Sequence, residues 1–197
     1  MPSIRDRRWL RMFLWLRISL WLPLFACLSL GAAAEDIVGA NLERQVKAAM
    51  LYKFLGYVEW PSEVFATPVS PYVIAVAGAA DLVDELRLIT QDRSINQRPI
   101  VVRKVNTRSD LSRIHLLFIG DTYNKNLHSR LIGRARGHSM VTVTEVERGL
   151  QLGSVVNFRL IDDRIGFDIS LVNAKLQNVK LSARLLSVAS SVETDGL

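Results

Sequence analysis

The sequence predicts an α/β fold: a mainly parallel sheet flanked by helices, with a C-terminal β-hairpin and a final packed helix. Three observations predict it. Tyr72 to Ala77, YVIAVA, is a continuous apolar run with β-branched residues, the pattern of a strand buried on both faces. Runs of this kind alternate with amphipathic helical segments as far as Thr144. The alternation then stops at two strand-like segments separated by Asp162-Asp163, a two-residue turn.

The elements follow in order. Glu43 to Tyr57 reads as the first helix. Within it Met50, Phe54, Tyr57 and Val58 share one row, and Leu51, Leu55 and Val58 a second. So wide an apolar face belongs to a helix buried in a core. Gly56 weakens its end, and Pro61 disfavours helix at Trp60. Trp60 is thereby held at a boundary, where an indole buries one face and keeps one wet edge. Ser62 to Pro71, with Pro68 and Pro71, reads as a loop. After the Tyr72–Ala77 strand, Asp81 to Thr90 is a helix with Leu82, Leu86 and Ile89 on one side. Pro99 to Val105 is the second strand, and Ser109 to Arg113 is at most a short helix. His115 to Ile119 is the third strand, Asn124 to Arg134 a helix, and Met140 to Thr144 the fourth strand. Val155 to Ile161 and Arg164 to Ile169 form the hairpin. In its second strand Ile165, Phe167 and Ile169 face the core, and Arg164, Gly166 and Asp168 face water. Asn178 to Val192 reads as a last helix, apolar on all but one narrow stripe and so sandwiched by the fold or by a partner.

The first 34 residues differ in kind. Five arginines precede Ile18 to Leu30, a charge-free apolar stretch of 13 residues, and Gly31-Ala32-Ala33-Ala34 follows. This is the pattern of a secretory signal peptide cleaved after Ala34, which makes the mature protein an exported one. An uncleaved anchor is the alternative reading. Leu24 to Cys27 is a weak match to a lipoprotein cleavage box, and Arg7-Arg8 a weak match to a twin-arginine signal. Residues 35–44 are then a flexible lead-in, 45–192 a single domain and 193–197 a tail.

Removing the leader changes the charge argument. The whole chain has 25 Lys+Arg against 19 Asp+Glu, a formal +6. The leader holds five of the arginines and one aspartate, so the mature part is near +2. The basic character belongs to targeting and gives no argument for nucleic acid as a partner. Cys27 is the one cysteine, so after cleavage the domain has no disulfide and is held by its core.

Catalysis has little support. There is no Gly-x-Ser-x-Gly elbow, phosphate-binding glycine loop or His-Glu-x-x-His. No cofactor or metal site is expected. His115 opens a buried strand and reads first as a satisfied edge histidine. Arg98-Pro99 is a fixed turn beside a guanidinium, either structural or able to bind an anion, so Arg98 and His115 are the ligand-binding candidates. Lys125, Arg130, Arg134 and Arg136, with His128 and His138, cluster on and after one helix. They read as a solvated face, or as a patch for lipid head groups or an acidic partner.

Several short motifs then recur in a specific order. They are Ala48 to Pro61, Arg98-Pro99 through Arg103, His115 to Ile119, Val141 to Thr144, Gly153 with Asn157-Phe158, Arg164 to Phe167 with Ile169, and Leu181-Ser182 through Leu185-Leu186. In that order and spacing the chain resembles the YfiR family of exported regulators, over roughly Gln45 to Val192. The resemblance implies an α/β protein that is not an enzyme and can be dimeric. It implies a periplasmic regulator that inhibits an inner-membrane partner with a periplasmic sensor domain, in the best-understood members a diguanylate cyclase. Release of the partner would then raise cyclic di-GMP and favour biofilm formation. The chain departs from the family pattern at Gln97 (Gly), Ile114 (Cys), Ser154 (Gly) and Ser170 (Asn). Without a second cysteine, disulfide-based control is not expected.

The expected partner surface is the Trp60-Pro61 corner with Tyr57, together with the flank of the last helix at Leu181, Leu185 and Val188. A second function class is a small-ligand receptor feeding a different membrane sensor such as a histidine kinase. Its ligand would sit at the carboxyl ends of the strands, near Gly78, Val105 and Gly120.

Overall fold

A computed structural model of the chain describes residues 29–121, 125–162 and 164–194. Residues 1–28, most of the expected leader, lie outside the described residues, as do Asp163 and the end of the expected tail. Two compact units are distinguished, 1–42 and 43–197. Among the described residues no helix is long and apolar enough to cross a membrane.

The first helix, α1, spans Ser29–Phe54. Residues 35–44, expected as a flexible lead-in, are therefore helical. Alanines and long side chains favour a helix here, no proline interrupts it, and they outweigh the glycine at Gly39. The helix stops at Phe54, where Gly56 and Tyr57 close a turn onto the carbonyls of Lys53 and Phe54. A two-residue strand, β1 (Val58–Glu59), follows, then a 3-10 turn at Ser62–Val64.

The sheet begins with β2 (Tyr72–Ala77), every residue of which is buried. Helix α2 (Ala80–Thr90) leads to a small hairpin of β3 (Ser94–Ile95) and β4 (Arg98–Lys104). Residues 109–113 form turns, because the Asn106 amide oxygen and an Asp110 carboxylate oxygen accept from the Arg108 and Ser112 amides. Next come β5 (Leu116–Ile119), α3 (Lys125–Ala135) and β6 (Val141–Thr144). A short helix α4 (Gly149–Leu152) precedes the hairpin of β7 (Val156–Ile161) and β8 (Arg164–Ser170). Its turn holds Asp162 at φ 48°, the left-handed conformation that Asp tolerates.

The eight strands lie in the order β3-β4-β2-β5-β6-β7-β8, with Ser191–Glu193 beyond β8. From β4 to β7 they are parallel; β3 runs antiparallel to β4, and β8 antiparallel to β7. Side chains alternate strictly across this sheet. Tyr72, Ile74 and Val76 join Leu116 and Phe118 in a core with α1 and α2. Val73, Ala75 and Ala77 join Leu117 and Ile119 in a second core under α3, with Leu131, Ile132 and Ala135. Two covered faces explain why these strands read as unbroken apolar runs. Phe54 of α1 anchors the first core, 5.1 Å from the Phe167 ring centroid and 6.0 Å from that of Phe158.

The expected last helix is the main correction. Residues 171–176 form α5 (Leu171–Leu176), 180–181 form β9 (Lys180–Leu181), 183–186 form α6 (Ala183–Leu186) and 191–193 form β10 (Ser191–Glu193). Asn178 takes φ 51° and breaks any helix there. Ser182 caps α6, its side chain accepting from the Leu185 amide. Strand pairing decides the rest: β9 pairs with β1, and β10 runs parallel to β8. The apolar residues that suggested one sandwiched helix serve three separate elements.

A second correction concerns Asp168, expected on a wet face. It is buried, because β10 pairs beside it and supplies the Ser191 hydroxyl at 2.8 Å. Arg159 donates to its other oxygen at 3.0 Å. The burial of this carboxylate is compensated by one charged and one neutral donor.

Candidate functional site

The amino ends of three adjacent parallel strands meet at one edge of the sheet. Arg98 begins β4, Tyr72 begins β2, and His115 immediately precedes β5. Neighbouring parallel strands bring these three positions together although they lie far apart in the chain.

Trp60 reaches the same edge from the other direction. After β1, Pro61 with φ −57° and ψ 144° turns the chain into the 3-10 turn, and Phe65 follows it. Trp60, Phe65 and Tyr72 then enclose the His115 imidazole. Phe65 stacks on it at 4.6 Å between centroids, and Trp60 and Tyr72 present edges at 5.7 and 5.3 Å. The Arg98 guanidinium covers the outer face of Phe65 at 3.9 Å. It also donates to the carbonyls of Thr67 and Ser70, so it ties down the 65–71 loop.

The electrostatics of His115 follow from its partners. The Val73 amide donates to Nδ1 at 3.1 Å, so the imidazole proton sits on Nε2. Burial, with the nearby Arg98 charge adding to it, pushes the pKa down to about 4. The ring is a neutral donor at physiological pH. Its Nε2 and the Trp60 Nε1 are both buried without a hydrogen-bond partner among the described residues.

The sequence-derived site residues thus divide. Trp60, Pro61, Arg98 and His115 converge on this edge. Tyr57 is half-buried beside it; its carbonyl accepts from the Ser182 amide at 2.9 Å, and Arg184 lies over its ring. Leu181 pairs with Val58 across the β1-β9 ribbon. Leu185 is 1% exposed and belongs to the core, so it is not available to a partner. Val188 is 64% exposed. Leu181, Leu185 and Val188 do not share a helix flank, since that helix does not form. Phe65 and Tyr72 were not expected in the site. Phe65 lies in a proline-rich stretch read only as loop, and Tyr72 opens a strand otherwise read as core.

The opposite, carboxyl edge of the sheet, where a ligand was expected, is closely packed near Gly120. A Cβ there would stand 2.9 Å from Ala79 Cβ and 3.1 Å from Glu145 Oε1. Lys47 pairs with both Glu43 and Glu145 at this edge. Burial opposes its charge, but the two carboxylates outweigh burial and raise its pKa. Glu145 also accepts from the Asp121 amide.

The basic cluster is partly structural. Arg134 donates to the carbonyls of Thr107 and Ser109, both at 2.7 Å, and His128 is buried.

The departures from the family pattern have physical readings. Ser170 caps α5, accepting from the Asn173 amide, a role that serine and asparagine fill equally well. Ser154 is buried and accepts from the Thr144 hydroxyl. Ile114 packs into the second core.

Comparison with curated proteins returns no match. A family profile described as YfiR/HmsC-like matches residues 44–190, well over half of the chain and all of the sheet but its last strand. The chain belongs to the YfiR/HmsC-like family.

Proposed function

We propose that this protein is a periplasmic regulator that binds and inhibits a membrane-bound diguanylate cyclase, lowering cyclic di-GMP and biofilm formation. The observation that carries the reading is the family match over residues 44–190; the family is regulatory and non-catalytic. Export would rest on the basic, apolar, small-residue pattern of residues 1–34.

The contact surface we assign is the Trp60-Pro61 corner with Tyr57, Leu181 and Val188. The β1-β9 ribbon supports it, because it pairs Val58 with Leu181 and ties Tyr57 to Ser182 just before Trp60. An aromatic anchor at a corner is a common centre of binding energy. Inhibition is then a population shift: the regulator binds the inactive sensor state better, and loss of free regulator releases it.

The test is cyclic di-GMP in cells with and without the gene. Deletion raises it, and an exported copy restores the lower level while a leaderless copy does not. An unchanged level on deletion overturns the reading.

A further inference from the structure

Beside the aromatic box lies a cleft of about 420 Å³, within the range of small-molecule sites. Ser70, Arg103, Asp110, Ser112, Arg113 and His115 line it. Asp110 is the carboxylate among these six, and it is already engaged by the Ser112 amide and hydroxyl at 2.9 and 2.5 Å. The Arg103 and Arg113 side chains are exposed and enter no ion pair among the described residues. His115 is 2% exposed, and its Nε2–H has no partner.

Two exposed guanidinium groups and a buried, unpartnered N–H thus line one cleft whose single carboxylate is already engaged by Ser112. We propose that this cleft binds a small free organic anion bearing a carboxylate or phosphate, held by Arg103 and Arg113 and accepting the His115 Nε2–H. The other large cleft, about 750 Å³ beside α2 and β3, contains none of the unpartnered buried side chains. The cleft at the carboxyl edge carries acids already paired with Lys47. The inference goes beyond the regulatory reading and does not depend on which membrane protein is the partner.

The experiment uses purified, 15N-labelled protein. Inorganic phosphate and citrate are titrated separately, against chloride at matched ionic strength, and the His115 imidazole nitrogen resonances are followed. Saturable shifts with phosphate or citrate, absent with chloride, are expected. Arg103→Gln and Arg113→Gln, both at the surface, keep the fold and each weaken binding by about tenfold, as loss of a charge-assisted hydrogen bond does. Sedimentation with phosphatidylglycerol vesicles is the second arm. No saturable shift with either ion, equal affinity in the arginine variants, or binding to vesicles but to neither free ion would each overturn the proposal.

Discussion

The Arg98 guanidinium sits 3.9 Å over the Phe65 ring, and Phe65 in turn stacks 4.6 Å from His115. One cation, one benzene ring and one neutral imidazole form a single column at the amino edge of the sheet. Arg98 also holds the Thr67 and Ser70 carbonyls, so the column and the loop that caps it depend on one side chain.

Arg98→Ala therefore loosens the cap before it unfolds the domain. It removes two hydrogen bonds and a cation–π contact, and costs about 1–2 kcal/mol. Hydrogen exchange of the amides at 65–70 should quicken well beyond what that global loss explains. Uniform quickening across the sheet would show that Arg98 has no local role.

His115 makes stability depend on pH. Its folded pKa of about 4 lies below its ordinary 6.5. Between those values the unfolded chain binds the proton and the folded one does not, so stability rises with pH. The contribution is complete above about 6.5 and is lost as pH falls towards 4, on the order of 3 kcal/mol in all. His115→Phe is less stable at neutral pH, because the Val73 amide loses its acceptor. The difference between the two urea-melt profiles should narrow as pH falls through this window. A constant difference contradicts the neutral, buried imidazole.

Leu185 and Val188 separate core from surface. Leu185→Asp places a charge at a 1% exposed site and destabilises by at least about 4 kcal/mol, enough to unfold the domain. Val188→Asp, at 64% exposure, changes stability by no more than about 0.5 kcal/mol. Only the second variant can report on partner binding. Thermal melts of the two side by side check both statements.

Gln97 carries avoidable backbone strain. Asn96 and Gln97 form the two-residue turn between β3 and β4, with φ 49° and 64°. A turn of that type needs positive φ at both positions, and Asn-Gly is its preferred pair. Gln97→Gly should stabilise the protein by about 0.5–1 kcal/mol, the left-handed penalty less the added chain entropy of glycine. A loss of stability in urea melts would mean the Gln97 side chain holds something more.

The legible part of this chain was its periodicity. Unbroken apolar runs marked β2 and β5, and alternation with a two-residue turn marked the β7-β8 hairpin. The identity of the box was less legible. Trp60 stood out through Pro61, and Arg98 through Pro99, but Phe65 had no local signal. Its role arises when the loop folds back over strands that begin seven and fifty-one residues later.

The region after Asn178 shows where local pattern runs out. By sequence alone it is a plausible helix with apolar residues around nearly all of its circumference. In the fold, Lys180-Leu181 complete the backbone pairing of Val58-Glu59, and Ser191 to Glu193 pair with the edge of β8. The sequence by itself determined the α/β class, the buried central strands and the turn at Asp162, because these depend on residues a few positions apart. Only the tertiary structure decided the fate of the C-terminal segment and the gathering of Trp60, Phe65, Tyr72, Arg98 and His115. Those outcomes depend on hydrogen-bonding partners and packing surfaces supplied by distant parts of the chain, which override weak local preference.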